Sequence, residues 1–478
     1  MKKEIIISYK TNNTRVALLE EGQLVEFYTE GETNTRSVGN IYKGIVQDIL
    51  PGMQAAFVNI GFSKNAFLYV GDLVTNGEEH QQPIEKLLKK GQEIMVQISK
   101  EGVGGKGPRV TCQLTIPGRY LVLMPFNNYI GISRRIEDEG ERERLKEVAE
   151  EIKDPNMGLI VRTVAQYIDK EELENDLNYL FGLWNNTLEN YQNYPSPALI
   201  YNDVDLVERA LRDLFDNQVD GLYIDDHEQY RKIVNILKRK AGHSHLLNKV
   251  RLYQSKSPIF HAFGIEKDLE KAFQRKIWLK NGSYLIIDQL EALTVIDVNT
   301  GKFVGTNNLA DTVLQTNLEA VKEICRQIRL RDVSGIIIID FIDMFREEDK
   351  ELVLKYLEAE MKKDQTKGQI LGITKLGLVE ITRKKVRKGI YNSLQQVCPT
   401  CHGIGKTMTK SALKMFLEDK IRNYVYANQS KQFEVKVNPV MVEELTKTLD
   451  IFQQELGVKL IIKSVENVEA NYLEIEST

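Results

Sequence analysis

Two apolar runs in this chain of 478 residues end in carboxylates: LTVIDVN, Leu293 to Asn299, presents Asp297 with Asn299 two positions on, and GIIIID, Gly335 to Asp340, presents Asp340. An interior β run that ends in an acid carries negative charge from a rigid core to the rim of a sheet, where oxygen ligands can hold a hard cation. Period 2 puts Asp297 and Asn299 on one side of their strand. Between the runs, Leu314, Leu318, Val321, Cys325 and Ile328 form a helical stripe. A strand-helix-strand unit with a right-handed crossover makes the two strands parallel, so Asp297 and Asp340 can emerge at one carboxyl edge. The stretch reads as a magnesium site.

A second constellation lies downstream in QVCPTCHGIGKT, residues 396 to 407. Cys398 and Cys401 form a C-P-x-C turn followed by glycines, half of a zinc knuckle that needs two more ligands. The chain has no second C-x-x-C, and Cys112 and Cys325 fall in a strand and a helical stripe, where a buried thiol is the usual role. Either His402 and a distant residue complete the site, or an identical loop from another subunit does, which would tie zinc to dimerisation; the third reading is an unmetallated turn. In GLIVRT a short strand ends in Arg162-Thr163. A planar guanidinium beside a hydroxyl suits a phosphate monoester, and the competing reading is an arginine paired with a local acid. Asp225-Asp226 reads as ordinary acids at the ends of elements.

These groups need elements to position them. Residues 1 to 36 read as a three-stranded meander (Glu4 to Ser8, Thr14 to Leu19, Leu24 to Tyr28). From Ser37 to about Gln113, period-2 strands separated by Pro51-Gly52 and Gly61 suggest a small five-stranded barrel. Such barrels hold single-stranded nucleic acid by stacking bases on aromatics beside basic side chains. Phe57, Phe62, Phe67, Lys43, Lys100 and Lys106 are the candidates, and the order of strands, turns and aromatics resembles the S1-type RNA-binding domain. An acidic helix follows at Glu139 to Ile152, and residues 206 to about 272 are mostly helical with one strand in Val219 to Asp226. A hairpin, Trp278 to Asp288, turns at Asn281-Gly282 and leads into the acid-bearing stretch. A helix from Glu347 to about Lys362 and strands at Gln369 to Ile373 and Leu378 to Thr382 complete that α/β layer. The tail, 408 to 478, reads as helices Ser411 to Ala427 and Val442 to Leu456 with strands Phe433 to Val437 and Lys459 to Ser464.

Composition bounds the class. A chain of this length with 42% hydrophobic residues buries ample core in roughly three domains. With 64 basic against 68 acidic residues it does not coat nucleic acid non-specifically. Locally, Arg383, Lys384, Lys385, Arg387 and Lys388 form a basic run and Arg134-Arg135 a second focus, each with a solvated face as its plain reading. No apolar run approaches the ~20 residues of a membrane span, and the start MKKEIIISYK lacks a signal peptide's long apolar region and cleavage site. Four cysteines in so long a chain make no disulfide framework. A cytoplasmic location is expected.

These pieces in this order resemble the ribonuclease E/G family over nearly the whole chain. The resemblance rests on AAFVNIG, GRYLVLMP with GISRRI, GLIVRT, ALTVIDVN, TNLEAVKEICRQIRLRD, IIIIDFIDM and CPTCHGIG, and the lack of a long disordered tail places it with the family's short form. It implies a multidomain α/β fold: a ribonuclease-H-like scaffold at 1–36 and 208–272, an S1-type OB barrel at 37–113, a 5′-sensor region at 114–207, a DNase-I-like catalytic domain at 273–395, a zinc link at 396–407 and a small C-terminal α/β domain at 408–478. It further implies that Asp297 and Asp340 hold Mg²⁺ while Asn299 orients Asp297, with Asp343 outside that set. By the same resemblance, Phe57, Phe67 and Lys106 grip RNA, and Gly118, Val122, Arg134, Arg162 and Thr163 recognise a 5′-monophosphate. Cys398 and Cys401 would share Zn²⁺ across a homodimer, which could pair into a tetramer.

The function implied is a magnesium-dependent endoribonuclease cutting single-stranded RNA, stimulated by a 5′-monophosphate, in rRNA and tRNA processing and mRNA decay. Its rivals are a non-catalytic S1-type RNA-binding factor and a metal-dependent DNase or other phosphodiesterase. One departure is Lys367, where the family carries an arginine near the RNA path; lysine keeps the charge and loses the bidentate fork.

Overall fold

The computed structural model describes residues 2–477 except 11–12, 32–36, 75–81, 103–105, 240–243, 303–308, 367, 387–388, 391–393, 397, 400, 402, 404, 429, 467 and 470. Lys367, His402, Arg387 and Lys388 therefore lie outside the described residues. The chain divides into two units, Met1–Ser393 and Leu394–Thr478.

Among the described residues the first unit holds four sheets. The N-terminal meander forms as Lys3–Ser8, Asn13–Glu20 and Gln23–Gly31, all antiparallel. Its first strand then pairs in parallel with Gly221–Ile224, which pairs with Val250–Leu252, a short strand within the stretch expected to be helical. The barrel closes on itself: Ile41–Leu50 pairs with both Ala55–Asn59 and Glu93–Lys100, and Ala66–Tyr69 and Arg109–Thr111 complete the ring. Its interior is the alternate apolar set, among them Val46, Val58, Leu68, Val96 and Val110. Lys43 lies on the other side of its strand from Val46, 8% exposed, with Nζ over the Tyr191 ring and ion-paired with Glu93 at 3.2 Å, so it is structural rather than an RNA contact.

A four-stranded sheet of Ile130–Ile132, Gly158–Val161, Leu121–Met124 and Ile116–Pro117 comes next. Helix Glu139–Ile152 packs on it through Leu145 and Ala149, and helix Lys170–Asn193 through Leu173, Leu177 and Leu180. Asp138 caps the first of these helices by accepting the Glu141 N–H.

The fourth sheet runs Lys276–Trp278, Tyr284–Gln289, Leu293–Asn299, Gly335–Asp340, Val379–Arg383, Gly368–Ile373. Helix Leu309–Arg331 connects the two parallel central strands and, with Glu347–Met361, covers one face of the sheet. Ile296, Val298, Ile337 and Ile339 point into that layer against Val321, Ile324, Ile328, Val353 and Leu357. Each such burial contributes roughly 1.5–3 kcal/mol, which pins the alternation of the strands. The opposite face is left partly open, and the acids are on it. The long helix is also tied to the N-terminal sheet, for Arg329 donates to Glu20 and Glu26 and Arg326 to the Leu24 carbonyl.

The basic run breaks at its first member. Arg383 is 4% exposed and ion-paired with Asp332 and Asp364, both contacts 2.6 Å, because strand alternation turns it inward.

In the second unit, Gln432–Val437 lies between Lys459–Ser464, parallel, and Leu473–Ser477, antiparallel. The last strand is absent from the sequence reading, because LEIES is too short and charged to stand out. The helix expected over 442 to 456 is two helices, Pro439–Thr446 and Leu449–Leu456. The Thr446 hydroxyl donates back to the Val442 carbonyl, and Thr448 leaves helical geometry at φ −118°. No described helix is long and apolar enough to cross a membrane.

Candidate active site

Asp297 and Asp340 are direct partners in the parallel pairing of their strands. Adjacent strands lie about 4.8 Å apart, so the two carboxylates leave the sheet side by side. The buried positions flanking them, Ile296, Val298 and Ile339, fix both to the open face. Asn299 donates from Nδ2 to Oδ2 of Asp297 at 2.8 Å, fixing the carboxylate's rotation and occupying one oxygen. Partial desolvation, then the negative charges of Asp297 and Asp343, push the Asp340 carboxyl above its ordinary range. A cation between the carboxylates would relieve that repulsion, and an all-oxygen pair matches a hard divalent ion. Among the described residues no group of three or more His, Cys, Asp or Glu could hold a metal. Two carboxylates are nonetheless a usual protein contribution to Mg²⁺, whose remaining positions go to water and phosphate oxygens.

One positioning residue escaped the sequence reading. Asn317 sits in the helical stripe segment and is fully buried. Its side chain bonds both backbone groups of Ile342, two residues beyond Asp340. The signal available in sequence was a lone amide at a helix position where its neighbours are apolar.

On the barrel, Phe57 and Phe67 are cross-strand partners with ring centroids 6.2 Å apart at 70°. Both are half-buried. The Phe67 N–H donates to the Pro108 carbonyl at 2.8 Å, which anchors the loop bearing the exposed Lys106 next to the pair. Phe62 packs edge-on to Tyr42 instead, 5.6 Å away, and Lys100 is exposed.

The residues expected to meet a 5′-phosphate gather around the four-stranded sheet. Arg162 donates to the Gly118 carbonyl at 2.6 Å and to Asp213 Oδ1 at 2.7 Å. It is thus paired with a local acid, and that acid is shared with Arg212. Val122 lies opposite Ile160 in the same sheet, and Thr163 is hydroxyl-bonded to Ser133 at 2.8 Å, beside the exposed Arg134. Position 118 has to be glycine, since a Cβ there would meet Asp176 Oδ2 at 2.5 Å. Asp176 is needed at that spot: it accepts the N–H groups of Arg119, Tyr120 and Leu121 and so shapes the turn. Arg135 instead donates to the Asp364 and Gln365 carbonyls, joining this region to the acid-bearing sheet.

Asp225 accepts the Tyr9 N–H and Asp226 caps a helix by accepting from Gln229, which accounts for both acids structurally. Cys112 and Cys325 are thiols pushed up to about 12 by burial. Cys398 is exposed and Cys401 half-buried, and the Gly405 N–H donates to Cys401 Sγ at 3.3 Å.

Residues 115–386 match the sequence model of the Ribonuclease E/G family. The chain is 41% identical over 454 residues to Ribonuclease G of Escherichia coli strain K12, covering 93% of this chain and 92% of that protein. It is 40% identical over 451 residues to Ribonuclease G of Haemophilus influenzae, covering 92% and 91%. Ribonuclease E of Nostoc sp. is 38% identical over 411 residues, which is 85% of this chain and 59% of that longer protein.

Proposed function

Because this chain belongs to the ribonuclease E/G family, we propose that it is a magnesium-dependent endoribonuclease that hydrolyses single-stranded RNA in the cytoplasm, in rRNA and tRNA processing and mRNA decay. The observation that carries the reading is the register of Asp297 with Asp340 at one edge of an open sheet face, with Asn299 bonded to the former.

Asp297 and Asp340 would hold Mg²⁺, which when bound activates water for in-line attack and offsets charge on the phosphoryl oxygens. The chain's own part is positional. Asn299 keeps one Asp297 oxygen engaged and the other directed outward, and the Asn317 amide holds the backbone that follows Asp340. Attack by water leaves the ribose 2′-hydroxyl unused, so the products carry 5′-phosphate and 3′-hydroxyl ends.

In the same reading the S1-type OB barrel, 37–113, holds the strand on Phe57 and Phe67 with Lys106 at the phosphates. Gly118, Val122, Arg134, Arg162 and Thr163 sense a 5′-monophosphate, and Arg162 keeps donors beyond the two it spends on Gly118 and Asp213. A ribonuclease-H-like scaffold made of 1–36 and 208–272 is supported by the strand pairing that joins those segments. Residues 273–395 form the DNase-I-like catalytic domain. Cys398 and Cys401 supply half of a tetrahedral zinc site, completed by the same loop of a second subunit in a homodimer.

The test is cleavage of a labelled single-stranded RNA with Mg²⁺ and with a chelator. Asp297→Asn and Asp340→Asn should each abolish cleavage while RNA binding persists. Undiminished cutting by either variant would remove the proposed centre.

A further inference from the structure

The acids do not stand alone on the open face. Cross-strand partners project to the same side of a sheet, so two rows cross it: Lys276, Ile286, Asp297, Asp340, and beside it Trp278, Tyr284, Asn299. Each row begins at the edge strand with a cation or an indole and ends at the proposed cation site. Lys276 Nζ lies 3.6 Å from the centroid of the Tyr284 ring and 4.1 Å from that of Trp278, and the two rings meet at 5.1 Å. Trp278 is nevertheless 54% exposed, while Ile277 and Leu285 on the other face are buried. The indole is therefore fixed by its neighbours with a large part of its surface in water. Arg275 pairs with Asp288, which offsets the charge of that further acid on the face.

Two strand spacings separate Lys276 from Asp297, roughly 10 Å. That is a distance a short stretch of single-stranded RNA bridges while one phosphate sits at the acids. Exposed aromatics stack bases with little regard to sequence, and a neighbouring cation draws in the backbone. We propose that Trp278, steadied by Lys276 and Tyr284, is a stacking platform for a nucleobase flanking the scissile phosphate. The inference rests on the ribonuclease reading and adds to it a base-binding subsite on the catalytic sheet, separate from the barrel aromatics.

The chain has two tryptophans, and the other, Trp184, is 3% exposed. Trp184→Phe leaves Trp278 as the sole indole reporter. It should be titrated in a chelator, so that nothing is cut, with a single-stranded oligoribonucleotide and with an abasic strand of equal length, while anisotropy of labelled strand reports binding. RNA should quench the indole in step with binding and the abasic strand should not. Trp278→Ala should weaken RNA binding about 5- to 150-fold, leave abasic binding unchanged, and be largely rescued by Trp278→Phe. If Trp184→Phe does not fold, the difference in quenching between native protein and Trp278→Phe reads the same quantity. Saturable RNA binding without an indole response, or equal quenching by the abasic strand, overturns the platform. Failure of the native chain to bind RNA would instead overturn the ribonuclease reading beneath it.

Discussion

The Asn317 side chain holds both backbone polar groups of Ile342: Nδ2 donates to the carbonyl at 2.8 Å and Oδ1 accepts the N–H at 3.1 Å. The segment that follows Asp340 is thereby fastened to the helix behind the sheet. In Asn317→Asp the ionised carboxylate cannot donate to the Ile342 carbonyl, which is left part-buried without its partner at a cost of about 1–3 kcal/mol. Cleavage should fall at least about tenfold in kcat with RNA affinity little changed. Single-turnover cleavage alongside a binding titration would measure both, and unchanged kcat would show that this fastening is irrelevant to the site.

Asp213 links the proposed sensor to acid stability. Burial opposes its charge, but Arg212 and Arg162 outweigh that and hold its carboxyl below the ordinary range. A depressed carboxyl contributes stability above its unfolded value of about 3.9, and that contribution is lost as pH falls through the lower folded value. Urea midpoints of Asp213→Asn and native protein should therefore converge at the acid end and separate above about pH 4. A constant gap across that range would contradict the ion-pair account.

Arg162→Ala tests the sensor. The variant should cut a 5′-monophosphorylated RNA and its 5′-hydroxyl twin at nearly equal rates, while the native protein prefers the monophosphate. It should also lose about 1.5–3 kcal/mol of stability from its bond to Asp213. An intact 5′ preference would assign Arg162 a structural role only.

Arg383 predicts a loss of fold rather than of RNA binding. Its side chain and those of Asp332 and Asp364 are 2%, 2% and 3% exposed. Removing the arginine leaves two acids buried without it, at a cost of about 3–5 kcal/mol. Arg383→Ala should unfold at markedly lower denaturant, whereas exposed Lys384→Ala should behave like the native chain. Equal midpoints would refute a buried ion triad.

The zinc link predicts that Cys398→Ala loses both zinc and dimer. Metal analysis with native mass measurement reads the two together. A zinc-loaded dimer of that variant would exclude a four-thiolate site shared between subunits.

The sequence by itself determined the local parts of this protein. Alternation in LTVIDVN and GIIIID placed Asp297, Asn299 and Asp340 on the ends of strands, and the stripe between them gave the crossover helix, because side-chain periodicity records which face of an element is buried. The motifs then carried the family. Tertiary structure alone decided the partners. That Lys3–Ser8 pairs with Gly221–Ile224, that Arg162 meets Asp213, that Lys43 meets Glu93 and Arg383 meets Asp332, and that Asn317 reaches Ile342 are contacts between segments distant in the chain. Periodicity says that a face is covered but not by what, and a charged residue looks the same in sequence whether its counter-charge is solvent or a buried acid brought in from far along the chain.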